Sequence, residues 1–143
     1  MNVRLAPYLK FADGQARAAM EFYRSTLGGE LSLMEFRELG VEGAAAELVM
    51  HGKLVTEHGL VLYGSDAPPI SPEVRLGEQV MVSVMGQDSP EARAWFGALS
   101  AGGEVTMPLE LQPWGDHYGE FVDRFGVPWM FDLGELPDSE PSD

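Results

Sequence analysis

Residues 22–31 read FYRSTLGGEL, and residues 96–105 read FGALSAGGEV. In each stretch a phenylalanine stands seven residues before the second glycine of a pair, and a glutamate follows that pair. A glycine directly after a helix permits the left-handed conformation that commonly ends it. The equal spacing therefore predicts two helices with the same kind of ending, and with them an internal repeat.

The first half of the chain is predicted to contain one helix and four strands. The helix spans residues 13–27, where apolar side chains recur at helical spacing. The alternating run APYLKF (6–11) predicts a strand before it. Three further strands are predicted at residues 31–37, 46–56 and 60–64.

The second half repeats this order. The run QVMVSV (79–84) predicts its first strand, and a helix is predicted over residues 88–100, where Pro90 suits the first turn. Three strands follow, predicted at residues 105–111, 117–122 and 127–132. Each half is therefore interpreted as a βαβββ module, which makes the chain an α+β protein.

The 143 residues correspond to the size of one ordinary domain, predicted over residues 1–133. Its first module spans about residues 3–64 and its second module residues 78–133. A proline-containing linker is predicted between them at residues 65–77. The acidic segment 134–143 is predicted to be a flexible tail.

The composition excludes several classes of function. Nine basic and 23 acidic side chains give a net charge of −14, which opposes binding to a phosphate backbone, so no nucleic-acid partner is expected. No cysteine is present, which excludes disulfides, thiolate catalysis and cysteine-bound zinc. No apolar run approaches the roughly 20 residues of a membrane helix. We therefore expect a cytoplasmic protein without a membrane partner.

Five motifs together resemble one family over nearly the whole chain, from about Pro7 to Leu133. They are PYLKF (7–11), EFYRSTLGGEL (21–31), LYGSDAPP (62–69), GGEVTMPL (102–109) and WGDHYGEFVDRFGVPWMF (114–131). The combination resembles the PhnB-like branch of the vicinal-oxygen-chelate superfamily, which includes glyoxalase I, extradiol dioxygenases, fosfomycin-resistance enzymes and bleomycin-binding proteins. The resemblance implies a glyoxalase/bleomycin-resistance-like fold with mixed curved sheets, helices on the outside, and cavities commonly built across a homodimer.

Metal-dependent members of that superfamily bind a divalent ion through histidine and glutamate side chains. The resemblance places the corresponding positions near Ala6, Gln79, Leu62 or Tyr63, and Met130. These side chains are poor ligands for a hard or borderline divalent ion. We therefore expect no metal at the usual site. No glycine motif of the GxGxxG type occurs, so no nucleotide cofactor is expected either.

The candidate ligand-binding residues lie at the former metal positions and in the segment PWGDHYGEF (113–121). That segment combines aromatic faces with glycines, which let a ligand approach the backbone closely. Ordinary packing in the core or in a turn is the alternative for each residue. The predicted set is Tyr8, Tyr63, Ser65 at the rim of the first cavity, Gln79, Trp114, Tyr118 and Met130.

Three functions remain open at this stage. The leading hypothesis is a protein that binds a small organic ligand without the usual metal, with or without turnover; His51 and Glu120 are its candidate acid–base residues. The second is a metal-dependent lyase, isomerase or dioxygenase whose metal has moved to His51, His117 and Glu120. The third is a drug-sequestering resistance protein, because an acidic surface with aromatic side chains suits a cationic planar ligand.

Overall fold

The computed structural model describes residues 3–134. The chain divides into two compact units after Arg75. Each unit holds one four-stranded mixed sheet and one α-helix, in the order βαβββ. The predicted α+β class and the two βαβββ modules are thereby confirmed. The predicted tail lies, apart from Gly134, outside the described residues.

The first unit is built from residues that precede position 76. Its elements are β1 (Tyr8–Phe11), α1 (Ala16–Leu27), β2 (Glu30–Glu35), β3 (Val49–Val55) and β4 (Val61–Asp66). The strands are ordered β1-β4-β3-β2, with β1 parallel to β4 and the other pairs antiparallel. Two short 3-10 helices, Phe36–Leu39 and Gly43–Glu47, connect β2 to β3.

The second unit repeats this topology. Its elements are β5 (Val82–Gln87), α2 (Pro90–Ser100), β6 (Glu104–Leu111), β7 (His117–Val122) and β8 (Pro128–Gly134). The strand order β5-β8-β7-β6 matches that of the first sheet position by position, again with one parallel pair, β5 with β8. The repeat predicted from the helix endings therefore extends to the complete strand pairing.

The glycine pairs after the two helices have the same steric role. Gly28 ends α1 with a φ of 73°. A Cβ atom at Gly29 would collide with the carbonyl oxygen of Val55 in β3, and one at Gly103 would collide with that of Val122 in β7. In each module the chain leaves the helix by passing directly against the backbone of a strand, and only glycine allows so close an approach.

The helix of each unit covers one face of its sheet. Met20 and Tyr23 of α1 are fully buried against a sheet face that includes Phe11 and Leu54. In the second unit Phe96 of α2 makes edge-to-face contacts with Phe121 and Phe131, at centroid distances of 5.0 and 5.4 Å. Burial of each such side chain contributes about 2 kcal/mol to stability. The α-helix of each unit leaves the opposite face of its sheet uncovered.

Two predicted boundaries near the first helix differ from the structure. The helix begins at Ala16 and not at residue 13, because Asp13 and Gly14 have φ angles of 56° and 70° and form a turn. Strand β4 continues through Asp66, so the predicted linker starts two residues later than expected. The Asp66 carboxylate holds this strand end by accepting hydrogen bonds from the backbone N–H groups of Ala16 and Val49, at 2.9 and 2.8 Å.

The predicted first strand of the second module was wrong by three residues. Strand β5 covers Val82–Gln87 and not residues 79–84, and residues 78–80 form a bend. Parallel pairing with β8, in which Val82 lies beside Trp129, sets where the strand starts. An apolar run alone cannot reveal that partner. Within residues 3–134, no helix has the length and apolar character that crossing a bilayer requires.

Candidate ligand-binding faces

Successive side chains of a strand point to opposite faces, and residues paired across strands share a face. In the first sheet Phe11, Leu54 and Gly64 face α1, so their strand neighbours face away from it. We call this side the first open face, and it carries Tyr8, Lys10, His51, Lys53, Tyr63 and Ser65.

Three aromatic rings form a cluster on the first open face. Tyr8 and Tyr63 are stacked, with centroids 6.0 Å apart and planes inclined by 10°. The His51 ring lies 5.8 Å from Tyr8 and 5.5 Å from Tyr63, and its Nδ1 is 3.3 Å from the Tyr8 hydroxyl. Arg4 donates a hydrogen bond of 3.2 Å to the Tyr63 hydroxyl. The structure thus brings together Tyr8, Tyr63 and His51, which the sequence had singled out separately.

Two of the predicted residues lie elsewhere than expected. Ser65 is inside β4 and only 8% exposed, and does not lie at a rim. Gln79 is exposed in the bend before β5, so its predicted place on a cavity-facing strand is wrong. In the second sheet Ser83 occupies the position that Tyr8 has in the first sheet, since Ser83 pairs with Met130 as Tyr8 pairs with Tyr63. The repeat alignment missed this because residues 88–89 alone join β5 to α2, whereas residues 12–15 join β1 to α1.

The second open face lies opposite α2 by the same reasoning. Phe121, Trp129 and Phe131 point into the core, so the residues that alternate with them in β7 and β8 point away from α2. The second open face carries Ser83, Met85, Tyr118, Glu120, Met130 and Asp132.

Tyr118 is the centre of a polar and aromatic group on this face. Its hydroxyl donates to Glu120 Oε1 at 3.0 Å and lies 3.7 Å from the Met130 sulfur. The Trp114 ring approaches it edge-on at 6.1 Å and is 61% exposed. Burial, and then the hydrogen bond and negative charge of Glu120, raise the pKa of Tyr118. The phenol therefore stays a hydrogen-bond donor throughout the physiological pH range.

A cavity of about 240 Å³ adjoins Glu120. Its wall contains a second carboxylate, Glu78, together with apolar side chains. None of the lining residues is basic; they are Glu78, Met81, Thr106, Glu120, Phe121, Val122 and Pro128. Two carboxylates in a partly apolar depression favour a ligand with a positive group on an apolar body.

Asp132 adds a further carboxyl group to the second open face, and the sequence reasoning missed it. Desolvation raises the pKa of Asp132, and a hydrogen bond with Asp116 and the charge of that residue raise it further. Its Oδ1 atom is buried without a hydrogen-bond partner among the described residues. The signal was available, because Asp132 follows Met130 by two positions in a predicted strand and must share its face.

His117 lies on the α2 side of the second sheet, in register with the core-facing residue Leu133. Arg93 forms two hydrogen bonds of 2.7 Å with Asp88 and donates a third, of 3.1 Å, to His117 Nε2. The hydrogen bonds from Arg93 lower the pKa of Asp88. His117 is therefore part of an ion-pair cluster at the start of α2.

The donor groups do not fit the divalent metal of the resembled superfamily. Tyr63 and Met130 face their open sides, yet a phenol and a thioether are poor ligands for such an ion. The proposed replacement site does not assemble in the second unit, because His117 and Glu120 point to opposite faces of one sheet. Within residues 3–134, no three His, Asp or Glu side chains are arranged to hold a metal ion.

Two βαβββ modules, each with one sheet face covered by its helix and the other open, define the architecture of the glyoxalase and bleomycin-resistance class. The sequence profile of the Glyoxalase/Bleomycin resistance protein/Dioxygenase superfamily matches residues 5–131. The chain belongs to this superfamily, and the predicted family is confirmed.

Similar proteins cover the chain almost completely. Protein PA1353 from Pseudomonas aeruginosa is 32% identical and has a TM-score of 0.82, covering 94% of this chain and 99% of its own. Protein YjdN from Escherichia coli K12 is 28% identical, in an alignment that covers 90% of this chain and 94% of that protein. A PhnB protein from Bacillus cereus, 24% identical with a TM-score of 0.71, shares the fold over 92% of this chain and 100% of its own.

Proposed function

We propose that the protein binds a small organic cation on its second open face, without the divalent metal that related enzymes use. The observation that carries this proposal is the cavity beside Glu120, whose two carboxylates have no basic neighbour in the wall. Tyr118 is hydrogen-bonded to Glu120 of the cavity wall and contacts Trp114 and Met130, and these side chains supply flat, adaptable apolar surface on the same face. Glu120 is the acid–base candidate on this face, whereas His51, the other candidate, lies on the first open face.

The distribution of charge supports a cationic ligand. Of the nine basic side chains only Arg93 and Arg124 follow residue 76. Arg93 is bound to Asp88, and Arg124 donates to the carbonyl oxygen of Ala101. Glu120 and its neighbours on the second open face therefore have no cation of their own unit beside them. A positive group over the exposed Trp114 ring would gain about 1 kcal/mol in addition.

Sequestration of a cationic drug is the second candidate function, and the same face favours it. An exposed tryptophan edge-on to a tyrosine presents a surface to which a planar ring can bind without any chemistry. This candidate differs from the first in predicting that bound compounds are recovered unchanged. Liquid chromatography of the ligand after long incubation distinguishes the two.

Binding is tested with benzamidine, a planar cation, against benzamide, its neutral isostere. Glu120→Gln and Glu78→Gln are each expected to weaken benzamidine binding about tenfold, because each removes one charge from the cavity wall. Glu21→Gln removes the same charge from the exposed side of α1 and serves as the matched control. Equal affinity for the two probes, or an equal effect of all three substitutions, would falsify the proposal.

The metal-free part of the proposal has its own test. The purified protein is incubated with zinc, nickel, manganese or iron(II), desalted, and analysed by elemental mass spectrometry. We expect no ion to be retained in stoichiometric amount, because the donor side chains at the superfamily's metal positions are unsuitable. A tightly bound ion in each chain would contradict this and would direct assays to lyase, isomerase and dioxygenase reactions.

We also propose that the protein is a cytoplasmic homodimer. Support for dimerisation comes from large apolar side chains that are exposed in the single chain, among them Leu5, Ile70 and Val80, at 102, 94 and 80%. Light scattering after size exclusion is expected to give twice the chain mass of 15.6 kDa. A monomer at micromolar concentration would contradict the homodimer.

A further inference from the structure

We infer that the first open face binds an anionic group, a carboxylate or phosphonate carried on a flat apolar body. This inference rests on the proposed function in using an open sheet face, but it concerns the other unit and the opposite charge. It can therefore fail while cation binding at the second open face holds, and the reverse is equally possible.

Three cations surround the aromatic cluster of the first open face. Lys53 pairs with Tyr63 across β3 and β4, and Lys10 pairs with Ser65 across β1 and β4. Arg4 reaches the same cluster through its hydrogen bond to the Tyr63 hydroxyl. The one acidic residue that the strand register places on this side is Glu30, at the start of the outer strand β2. The face is therefore positive in a chain whose net charge is −14.

Lys10 and Lys53 differ in their partners from two arginines of the first unit, Arg17 and Arg37. Arg17 forms an ion pair with Glu35, and Arg37 forms ion pairs with Glu35 and Glu47. By contrast, neither Lys10 nor Lys53 forms an ion pair with any residue that the structure describes. In a chain with more than twice as many acids as bases, two unpaired lysines on one sheet face favour a negatively charged partner from outside.

The aromatic cluster supplies the rest of a binding surface. Tyr8 is 51% exposed and stacked on Tyr63, so it presents a flat ring beside the lysines. The Tyr8 and Tyr63 hydroxyls and the His51 imidazole can donate to an oxyanion. A planar body would lie along the tyrosines while its anionic head binds the ammonium groups, which act as point charges without a fixed geometry.

Phenylphosphonate is the probe, with benzamide as its neutral control, and binding is followed by calorimetry and by NMR of the ring protons. In the wild-type protein we expect saturable binding that shifts the signals of Tyr8, His51 and Tyr63. The double variant Lys10→Met/Lys53→Met is expected to weaken phenylphosphonate binding at least about tenfold. Arg24→Gln removes a cation from α1, where Arg24 donates to the Gly29 carbonyl, and is expected to leave binding unchanged.

The outcomes separate this inference from the proposed function. Glu120→Gln is expected to weaken benzamidine binding and to leave phenylphosphonate binding as it is. The inference is overturned if phenylphosphonate does not saturate, if its shifts fall outside the aromatic cluster, or if Arg24→Gln weakens binding as much as the double variant. The wild-type shifts decide the question even where the double variant is unstable.

Discussion

Two aspartates show how much the surroundings of a carboxylate decide its effect. Asp66 is 3% exposed, and its two oxygens each accept a backbone N–H group, so its charge is stabilised where it lies. Asp132 has one buried oxygen without a described partner and a second carboxyl group, that of Asp116, beside it. Asp66 holds the start of α1 against β3 and β4, whereas the negative charge of Asp132 is destabilised by its surroundings.

Replacement of Asp132 by asparagine is expected to stabilise the protein at neutral pH by about 1 kcal/mol. The pKa of Asp132 is raised in the folded state, so this group favours folding below the ordinary aspartate pKa and loses that contribution as pH rises through the folded pKa. The advantage of Asp132→Asn must therefore shrink as the pH falls through the raised pKa of Asp132, and it must be absent below about 4. Urea unfolding of the wild-type protein and of Asp132→Asn, at pH 7 and at pH 3.5, measures the difference in the free energy of unfolding at each pH.

Glu21→Gln is the control for Asp132→Asn, since it also removes one carboxylate, at an exposed site on α1. If both substitutions changed stability by the same amount at pH 7, general charge repulsion would explain the result and the local account would be wrong.

At the scale of the elements, the exit from each helix is the tightest point of its module. Gly29 and Gly103 pass against the carbonyl groups of Val55 and Val122, at equivalent places in the two sheets. This close approach explains why FYRSTLGGEL and FGALSAGGEV share their spacing although few other residues agree. The repeat is visible in the sequence at these glycines, because a residue with a Cβ atom does not fit where the two backbone segments touch.

Gly103→Ala is expected to destabilise the protein by more than about 2 kcal/mol, because the added methyl group meets the Val122 backbone. The matched variant is Gly97→Ala, in the exposed part of α2, where an added Cβ has nothing within 4 Å. Removal of a helix-interior glycine there should stabilise by about 0.5–1 kcal/mol. The midpoints of thermal and urea unfolding of the two variants must therefore shift in opposite directions. A shift of both midpoints in the same direction would contradict the steric account.

At the scale of the whole molecule, charge is distributed unevenly along the chain. The basic residues Arg4, Lys10 and Lys53 lie in the first unit, and the second unit has only Arg93 and Arg124 against many carboxylates. The two open faces therefore offer opposite charges on the same architecture. A shared fold carries little functional information by itself, so the function has to be argued from these surface residues.

Binding of benzamidine is expected to weaken several-fold when sodium chloride is raised from 20 to 500 mM, because the Debye length shortens from more than 10 Å at low salt to a few Å. Benzamide, which carries no charge, should bind equally at both concentrations. Calorimetric titration of both probes checks this. A salt-independent benzamidine affinity would show that the carboxylates of the second open face do not contact the ligand's charge.

Periodicity identified the helices, most strands and the βαβββ repeat, because these depend on local sterics and on the alternation of apolar side chains. The candidate site was predicted less completely. Tyr8, Tyr63, Tyr118 and Met130 were placed on strands that the structure confirms, whereas Gln79 was placed on a strand that begins three residues later. Lys10 and Asp132 were missed although alternation from Tyr8 and Met130 places them on the same faces. Lys53 was missed because its face is known only from its pairing with Tyr63.

The sequence by itself determined the class of fold and the two modules. Only the tertiary structure decided which side chains meet: His51 with Tyr8 and Tyr63, Tyr118 with Glu120, and His117 with Arg93 on the far side of the sheet. The physical reason is strand register. A slip of one residue turns every side chain of a strand to the other face, and register is set by pairing with strands that are distant in the sequence.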